Sequence, residues 1–248
     1  ILAGLECLRT IHEAGIPVKH HLEVINFTDE EGTWRSLLGS FGLIGKITPD
    51  DINDSLRDNA AFRAALYRAG ILPPEIHRAK RDPETLAGFL ELHIEQSDKL
   101  YRAGKDIGIV TRIVGRTTFN VTFFGEASHA GTTTAEQRRD ALQGAAAFII
   151  LVHNVVNQEF ENGVVNCGHV AVKPDTFNVV PAQASLRVEC RHPDTQKLKE
   201  MEARVESLAQ DCAKDYRLKV GLNQVLHRDA EQMSPDIGDE VRQACEDE

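Results

Sequence analysis

Residues 117–124 read Thr-Thr-Phe-Asn-Val-Thr-Phe-Phe, and their period of two decides the fold. Phe119, Val121 and Phe123 fall on one face, as alternate residues of a strand must. Downstream, residues 136–156 predict a helix with a small, apolar centre at Ala145-Ala146-Ala147. Residues 164–172 and 184–189 read as strands. Pro193-Asp194 opens a second helix whose Leu198, Met201, Val205, Leu208 and Cys212 recur at spacings of three, four, three and four. Residues 218–225 read as a last strand. The order strand-helix-strand-strand-helix-strand is that of a ferredoxin-like sandwich. Residues 107–113 predict a further strand before it, and the residues after Ser234 a helix outside it.

Upstream, the rhythm is different. Leu2, Leu5, Leu8 and Ile11 mark an amphipathic helix that stops at Gly15-Ile16-Pro17. Residues 22–27, Leu-Glu-Val-Ile-Asn-Phe, are short, apolar and β-branched, which predicts a buried strand. That strand runs into Thr28-Asp29-Glu30-Glu31-Gly32, and open α/β sheets place their sites at such strand ends. Residues 50–70 predict a helix, 90–95 a strand by alternation, and 96–103 a short helix. The chain therefore reads as an α/β part over 1–111, an inserted sandwich over 112–232 and a return to the first part over 233–248.

With 28 Lys and Arg against 38 Asp and Glu, the net charge of −10 argues against holding nucleic acid by bulk charge. The 42% hydrophobic and 27% charged composition is that of a globular chain able to bury a core. No apolar run approaches a membrane span; the longest, 145–152, is too short. Cys7, Cys167, Cys190, Cys212 and Cys245 are odd in number and form no C-x-x-C pair, which fits a reducing, cytoplasmic compartment. The chain begins at Ile1 inside a helical pattern and ends in an acidic run, so it reads as a piece of a longer protein. It contains no G-x-G-x-x-G, Walker loop, H-E-x-x-H or G-x-S-x-G.

Four clusters carry candidate chemistry. In Glu30-Glu31, one carboxylate can bind a cation while the other moves protons, or both can be solvated surface groups. His93 shares a strand face with Glu91 and Glu95, which suits a metal ligand oriented by carboxylates or a satisfied structural histidine. Ser128-His129-Ala130-Gly131-Thr132 precedes a helix, so it supplies either donors for an oxyanion or capping chemistry. Ser128 and His129 are not a nucleophile–base pair, because neighbours in a strand face opposite ways. Asn178, in Phe-Asn-Val-Val-Pro, and Arg191, in Glu-Cys-Arg-His-Pro, suit carboxylate binding or a turn and a surface charge.

Taken together, these segments resemble the hydantoinase/carbamoylase amidases of the M20 metallopeptidase clan. The matching stretches are Phe27-Thr-Asp-Glu-Glu-Gly32, Leu38-Gly-Ser40, Glu91-Leu-His-Ile-Glu-Gln96, His129-Ala-Gly-Thr-Thr133 with Arg138 and Asp140-Ala141, and Asn178-Val-Val-Pro181 leading to Arg191. The resemblance implies an incomplete α/β metallohydrolase domain with an inserted lid and dimerisation sandwich. It implies a homodimer acting on a small carboxylate substrate, without nucleic acid or membrane. It implies hydrolysis of a linear amide or ureido bond, first of all in N-carbamoyl-L-amino acids. Allantoate or ureidoglycolate hydrolysis, dipeptidase activity and a non-catalytic dimerisation module are the alternatives.

Residue by residue, the resemblance makes Glu30 the general base and Glu31 and His93 ligands of two divalent ions of Zn, Mn, Co or Ni type. It makes His129 an oxyanion donor reaching a partner subunit's site, Asn178 and Arg191 holders of the substrate carboxylate, and Gln96 a substrate contact. Ser97, Thr33-Trp34-Arg35 and Thr134-Ala135 depart from the family's usual residues beside the site. Three of five implied ligands have no counterpart in these 248 residues. The expectation is that this polypeptide holds no stable dinuclear centre; a calorimetric titration finding two tight divalent ions would contradict it.

Overall fold

Phe119, Val121 and Phe123 are all buried, as their alternation requires, in the computed structural model, which describes residues 1–48, 50–53 and 59–246. The chain divides into two units, Ile1–Lys99 and Leu100–Glu248, and each is described by itself.

The first unit carries α1 (Leu2–Glu13), α2 (Leu38–Leu43) and α3 (Asn59–Arg68), with 3₁₀ turns at Asp50–Asn53, Pro73–Ala79 and Pro83–Thr85. Its core is small: Leu38, Ile47, Ile52, Phe62, Leu66 and Ile76, with Trp34 stacked on Phe62 at 5.9 Å. The helix expected over 50–70 is a 3₁₀ turn and then α3, closed by Gly70 at φ +75°; part of that span, 54–58, lies outside the described residues.

The two strands expected at 22–27 and 90–95 are corrected. Neither segment forms a strand, and no strand pairs with either among the described residues. Leu92 and Ile94 are 81% and 79% exposed, and Leu22 and Ile25 are exposed too. An apolar run supplies strand propensity, yet a strand also needs a neighbour for its N–H and C=O groups and a layer over its side chains. What joins the segments is a contact between Phe27 and Phe89, with centroids 6.2 Å apart. Helix α1 likewise buries no residue fully, although Leu8 and Ile11 on its apolar face are half-buried.

The second unit begins with α4 (Lys99–Ala103), whose first residue is the last of the first unit. The strand expected over 107–113 shrinks to β1 (Arg112–Ile113), paired with β8 (Glu231–Gln232). The sandwich follows as β2 (Gly115–Phe124), α5 (Ala141–Glu159), β4 (Val164–Lys173), β6 (Gln183–His192), α6 (Thr195–Asp215) and β7 (Lys219–Arg228). Two-residue strands β3 (Ser128–His129) and β5 (Val179–Val180) form a separate ladder. The main sheet is antiparallel in the order β4-β6-β2-β7, the arrangement expected of a split βαβ sandwich. Helix α7 (Pro235–Glu246) closes the unit and buries no residue.

Burial alternates strictly along β2 and β6, and the inward residues meet α5 and α6. Phe123 and Phe148 pack at 5.8 Å, and Leu198, Met201, Val205, Leu208 and Cys212 all face inward at their expected spacing. Burial pushes the Cys190 thiol up to about 12. Helix α5 starts at Ala141 rather than 136, because Asp140 accepts from Leu142 N (3.0 Å) and Gln143 N (3.2 Å) and so caps it. At 19 residues and mean hydropathy 1.2, α5 is the one described helix long and apolar enough to cross a membrane. Phe148, Val152 and Val156 instead lie buried in the sandwich core.

His227 on β7 faces two carboxylates, Nδ1 to Glu202 Oε1 at 2.5 Å and Nε2 to Asp229 Oδ1 at 3.1 Å. Both ring nitrogens are therefore called on to donate, and the hydrogen bonds to Glu202 and then Asp229 raise its pKa above the ordinary 6.5. The stabilisation this gives is complete below about pH 6.5 and is lost as pH rises through the raised value. His227→Gln should remove that pH-dependent part of the second unit's stability, checked by urea midpoints from pH 5.5 to 9; parallel profiles for both proteins would refute it.

Candidate functional site

The residues singled out by sequence lie in both units. In the first, the acidic turn is built by backbone bonds to one side chain. Asp29, at φ +52°, accepts from the N–H groups of Thr33 (2.7 Å), Trp34 (2.9 Å) and Arg35 (2.7 Å). Leu37 N–H and Ser36 Oγ both donate to the Glu30 carbonyl, at 3.0 and 3.3 Å. Gly39 N–H donates to Thr28 O at 2.8 Å, and a β-carbon on Gly39 would stand 2.6 Å from Thr28 N. Only glycine allows that approach. The loop is thus folded onto its own backbone, and Glu30 and Glu31 are exposed upon it.

Arg35 completes the support, donating to Asp51 O at 2.9 Å and Asp51 Oδ1 at 3.0 Å. The Thr48 hydroxyl and backbone, followed by Arg35, hold the Asp51 carboxyl below its ordinary value. Sequence reading missed the part played by Asp29, although Asp before a run of free N–H groups is a turn signal.

His93 is exposed, and its Nδ1 lies 2.6 Å from Ile94 O. A carbonyl only accepts, so Nδ1 carries the proton and Nε2 presents its lone pair outward. Glu95 Oε1 accepts from Ser97 Oγ at 2.5 Å and Lys99 N at 2.8 Å, so Glu95 caps α4, and exposed Gln96 sits between them.

Among the described residues no three His, Cys, Asp or Glu side chains converge on a point that could hold a metal ion. One carboxylate and one imidazole with a bare Nε2 suit a divalent cation chemically, but two donors do not complete a shell. Glu31 and His93 would supply two of such a cation's ligands.

In the second unit, β3 and β5 bring two sequence-distant residues together. His129 pairs with Val179, and Ala130 N–H donates to Asn178 O at 3.0 Å. Gly131 N–H donates to His129 Nδ1 at 3.2 Å, which places the imidazole proton on Nε2. Thr176 Oγ1 donates to Asn178 Oδ1 at 2.7 Å, leaving the amide N–H₂ as the outward donor. Phe177 beside them is fully exposed, at 106%.

Arg191 is elsewhere. It lies near the other end of β6, eight residues beyond Gln183, or about 26 Å at the usual rise per residue. Its Nε donates to Glu189 Oε1 at 2.6 Å. Asn178 and Arg191 of one chain therefore do not meet on a single carboxylate.

Ser128 is half-buried and His129 exposed. The Ser128 Oγ is buried and has no hydrogen-bond partner among the described residues.

Residues 111–217 match the peptidase dimerisation domain model. The chain is 31% identical to the N-carbamoyl-L-amino-acid amidohydrolase of Paenarthrobacter aurescens, across 99% of this chain and 60% of that protein. It is 29% identical to the allantoate amidohydrolase of Escherichia coli K12, across 99% of this chain and 59% of that protein. A crystal structure of a hydantoinase/carbamoylase family amidase from Burkholderia multivorans superposes with TM-score 0.83 at 31% identity, covering 99% of this chain and 60% of the other. The chain thus spans about 60% of the length of these relatives.

Ser128→Ala should leave stability unchanged or raise it by up to about 1 kcal/mol, because an unpaired buried hydroxyl is removed. A urea titration showing a loss above about 1 kcal/mol would mean that the hydroxyl has a partner.

Proposed function

Because the chain belongs to the hydantoinase/carbamoylase family of amidases, we propose that it serves a metal-dependent amidohydrolase that cuts a linear amide or ureido C–N bond. N-carbamoyl-L-amino acids are the first substrate class, as in the Paenarthrobacter relative's name. Allantoate is the second reading, supported by the nearly equal likeness to the Escherichia coli enzyme. Ammonia release from each substrate separates the two.

The observation that carries the proposal is the pairing of β3 with β5. It sets an imidazole, with its proton assigned to Nε2, beside an asparagine amide at an exposed end of a dimerisation domain. An amide carbonyl under attack develops negative charge on oxygen, and an Nε2–H donor held in place stabilises it. We assign Glu30 to take the proton of the attacking water and pass it to the leaving nitrogen. Its carbonyl is tied down twice by the turn, so the side chain has a fixed root. Glu31 and His93 are assigned to divalent-cation binding, and the cation would supply Lewis acidity.

Arg191 spends Nε on Glu189 and keeps its two terminal nitrogens for a substrate carboxylate. Its distance from Asn178 along the sheet supports a division of labour between copies in a homodimer. His129 and Asn178 of one copy then act with Glu30 and Arg191 of the other.

The test uses a form extended to the relatives' length. His129→Ala should lower activity at least about a hundredfold, the scale of one lost oxyanion donor. Mixing inactive His129→Ala and Glu30→Gln subunits should restore about a quarter of wild-type activity, since random pairing gives half mixed dimers with one intact site each. No recovery in verified mixed dimers would overturn the sharing of sites.

A further inference from the structure

Arg217 stands just past α6, in the left-handed region at φ +56°, a position that glycine takes most readily. Its guanidinium reaches back 79–82 residues to the segment before α5. Nη1 donates to Glu136 O, and Nη2 donates to Ala135 O at 3.3 Å and Arg138 O at 3.0 Å. Arg138 continues the chain of bonds. Its Nε donates to Thr133 O at 3.1 Å and its Nη2 to Ala130 O. Thr133 N–H then donates to His129 O at 3.1 Å, and Ala130 N–H to Asn178 O.

Side-chain packing does not hold this loop. None of residues 130–140 is buried. Between the loop and the end of α6 lies a cleft of about 370 Å³, lined by Thr133, Arg138, Asp140, Gln143, Tyr216 and Arg217 among others. Where apolar contacts would otherwise fix a loop, two guanidiniums bind its carbonyls instead. A fork of planar N–H donors suits several carbonyls at once, which a lysine ammonium does not.

We propose that Arg217 is a positioning residue for the His129–Asn178 corner: it ties the end of α6 to the 135–138 segment and, through Arg138, fixes the loop that orients the imidazole. Its catalytic meaning rests on the role proposed above for His129, whereas its structural part does not.

The experiment has two arms. In the first, amide hydrogen exchange is measured by NMR on the 248-residue chain. Arg217→Met should speed exchange at Ala130 and Thr133 by about tenfold or more, with Val121 and Leu186 in the β2–β6 ladder unchanged. Arg217→Lys should restore protection only in part. Unchanged exchange at Ala130 and Thr133, or equal acceleration in the ladder, overturns the proposal. In the second arm, on the extended active form, Arg217→Met should lower kcat with little effect in a His129→Ala background. A full additional fall in that background overturns the proposal as well. If His129→Ala alone leaves activity intact, the proposed function fails, and the exchange arm still decides what Arg217 does.

Discussion

A β-carbon at residue 125 would stand 1.9 Å from the Arg139 carbonyl oxygen, so only glycine lets the two chain segments meet there. Around that contact, Gly125 N–H donates to Ala182 O, Glu126 N–H to Arg139 O and Ala141 N–H to Pro181 O. These three bonds join the end of β2, the start of α5 and the approach to β6 at one point. The loop between residues 126 and 140 is closed at its base, and β3 has no choice but to lie beside β5. The nearness of His129 and Asn178 is therefore a consequence of how the sheet ends.

The two units differ in what holds them. The second has a two-layer core in which β2, β6, α5 and α6 bury one another's apolar faces. Such a core is self-consistent: the stripes of α5 and α6 and the inner faces of β2 and β6 find partners in one another. The first has a core of six buried residues among those described, and apolar side chains left in solvent. In its acidic turn, backbone hydrogen bonds to Asp29 do what burial does elsewhere.

Much of the candidate site was legible in the sequence, though unevenly. The acids at 30 and 31, the histidines at 93 and 129 and the amide at 178 stand out because few residue types bind cations or move protons. The resemblance added roles that residue chemistry alone left open. What the sequence hid was support. Asp29 looks like a third acid of a cluster, yet it is spent on three backbone N–H groups. Arg217 carries no local signal, because its partners are about 80 residues away. Arg191 looks like a neighbour of Asn178 at thirteen positions' remove, but a strand laid straight between them sends it to the opposite end of the sheet.

By itself the sequence determined the sandwich. Period two in β2 and β6 and the three-four spacing in α6 each name a buried face, and faces of that kind have few ways to pack. It could not determine whether residues 22–27 and 90–95 are strands, since pairing is a property of two segments and the pattern belongs to one. Only the tertiary structure decided where α5 starts, which side chains build the acidic turn and which candidate residues share an end of the sheet. Those outcomes rest on hydrogen bonds and close approaches between residues far apart in the chain, and no periodicity encodes a distance of that kind.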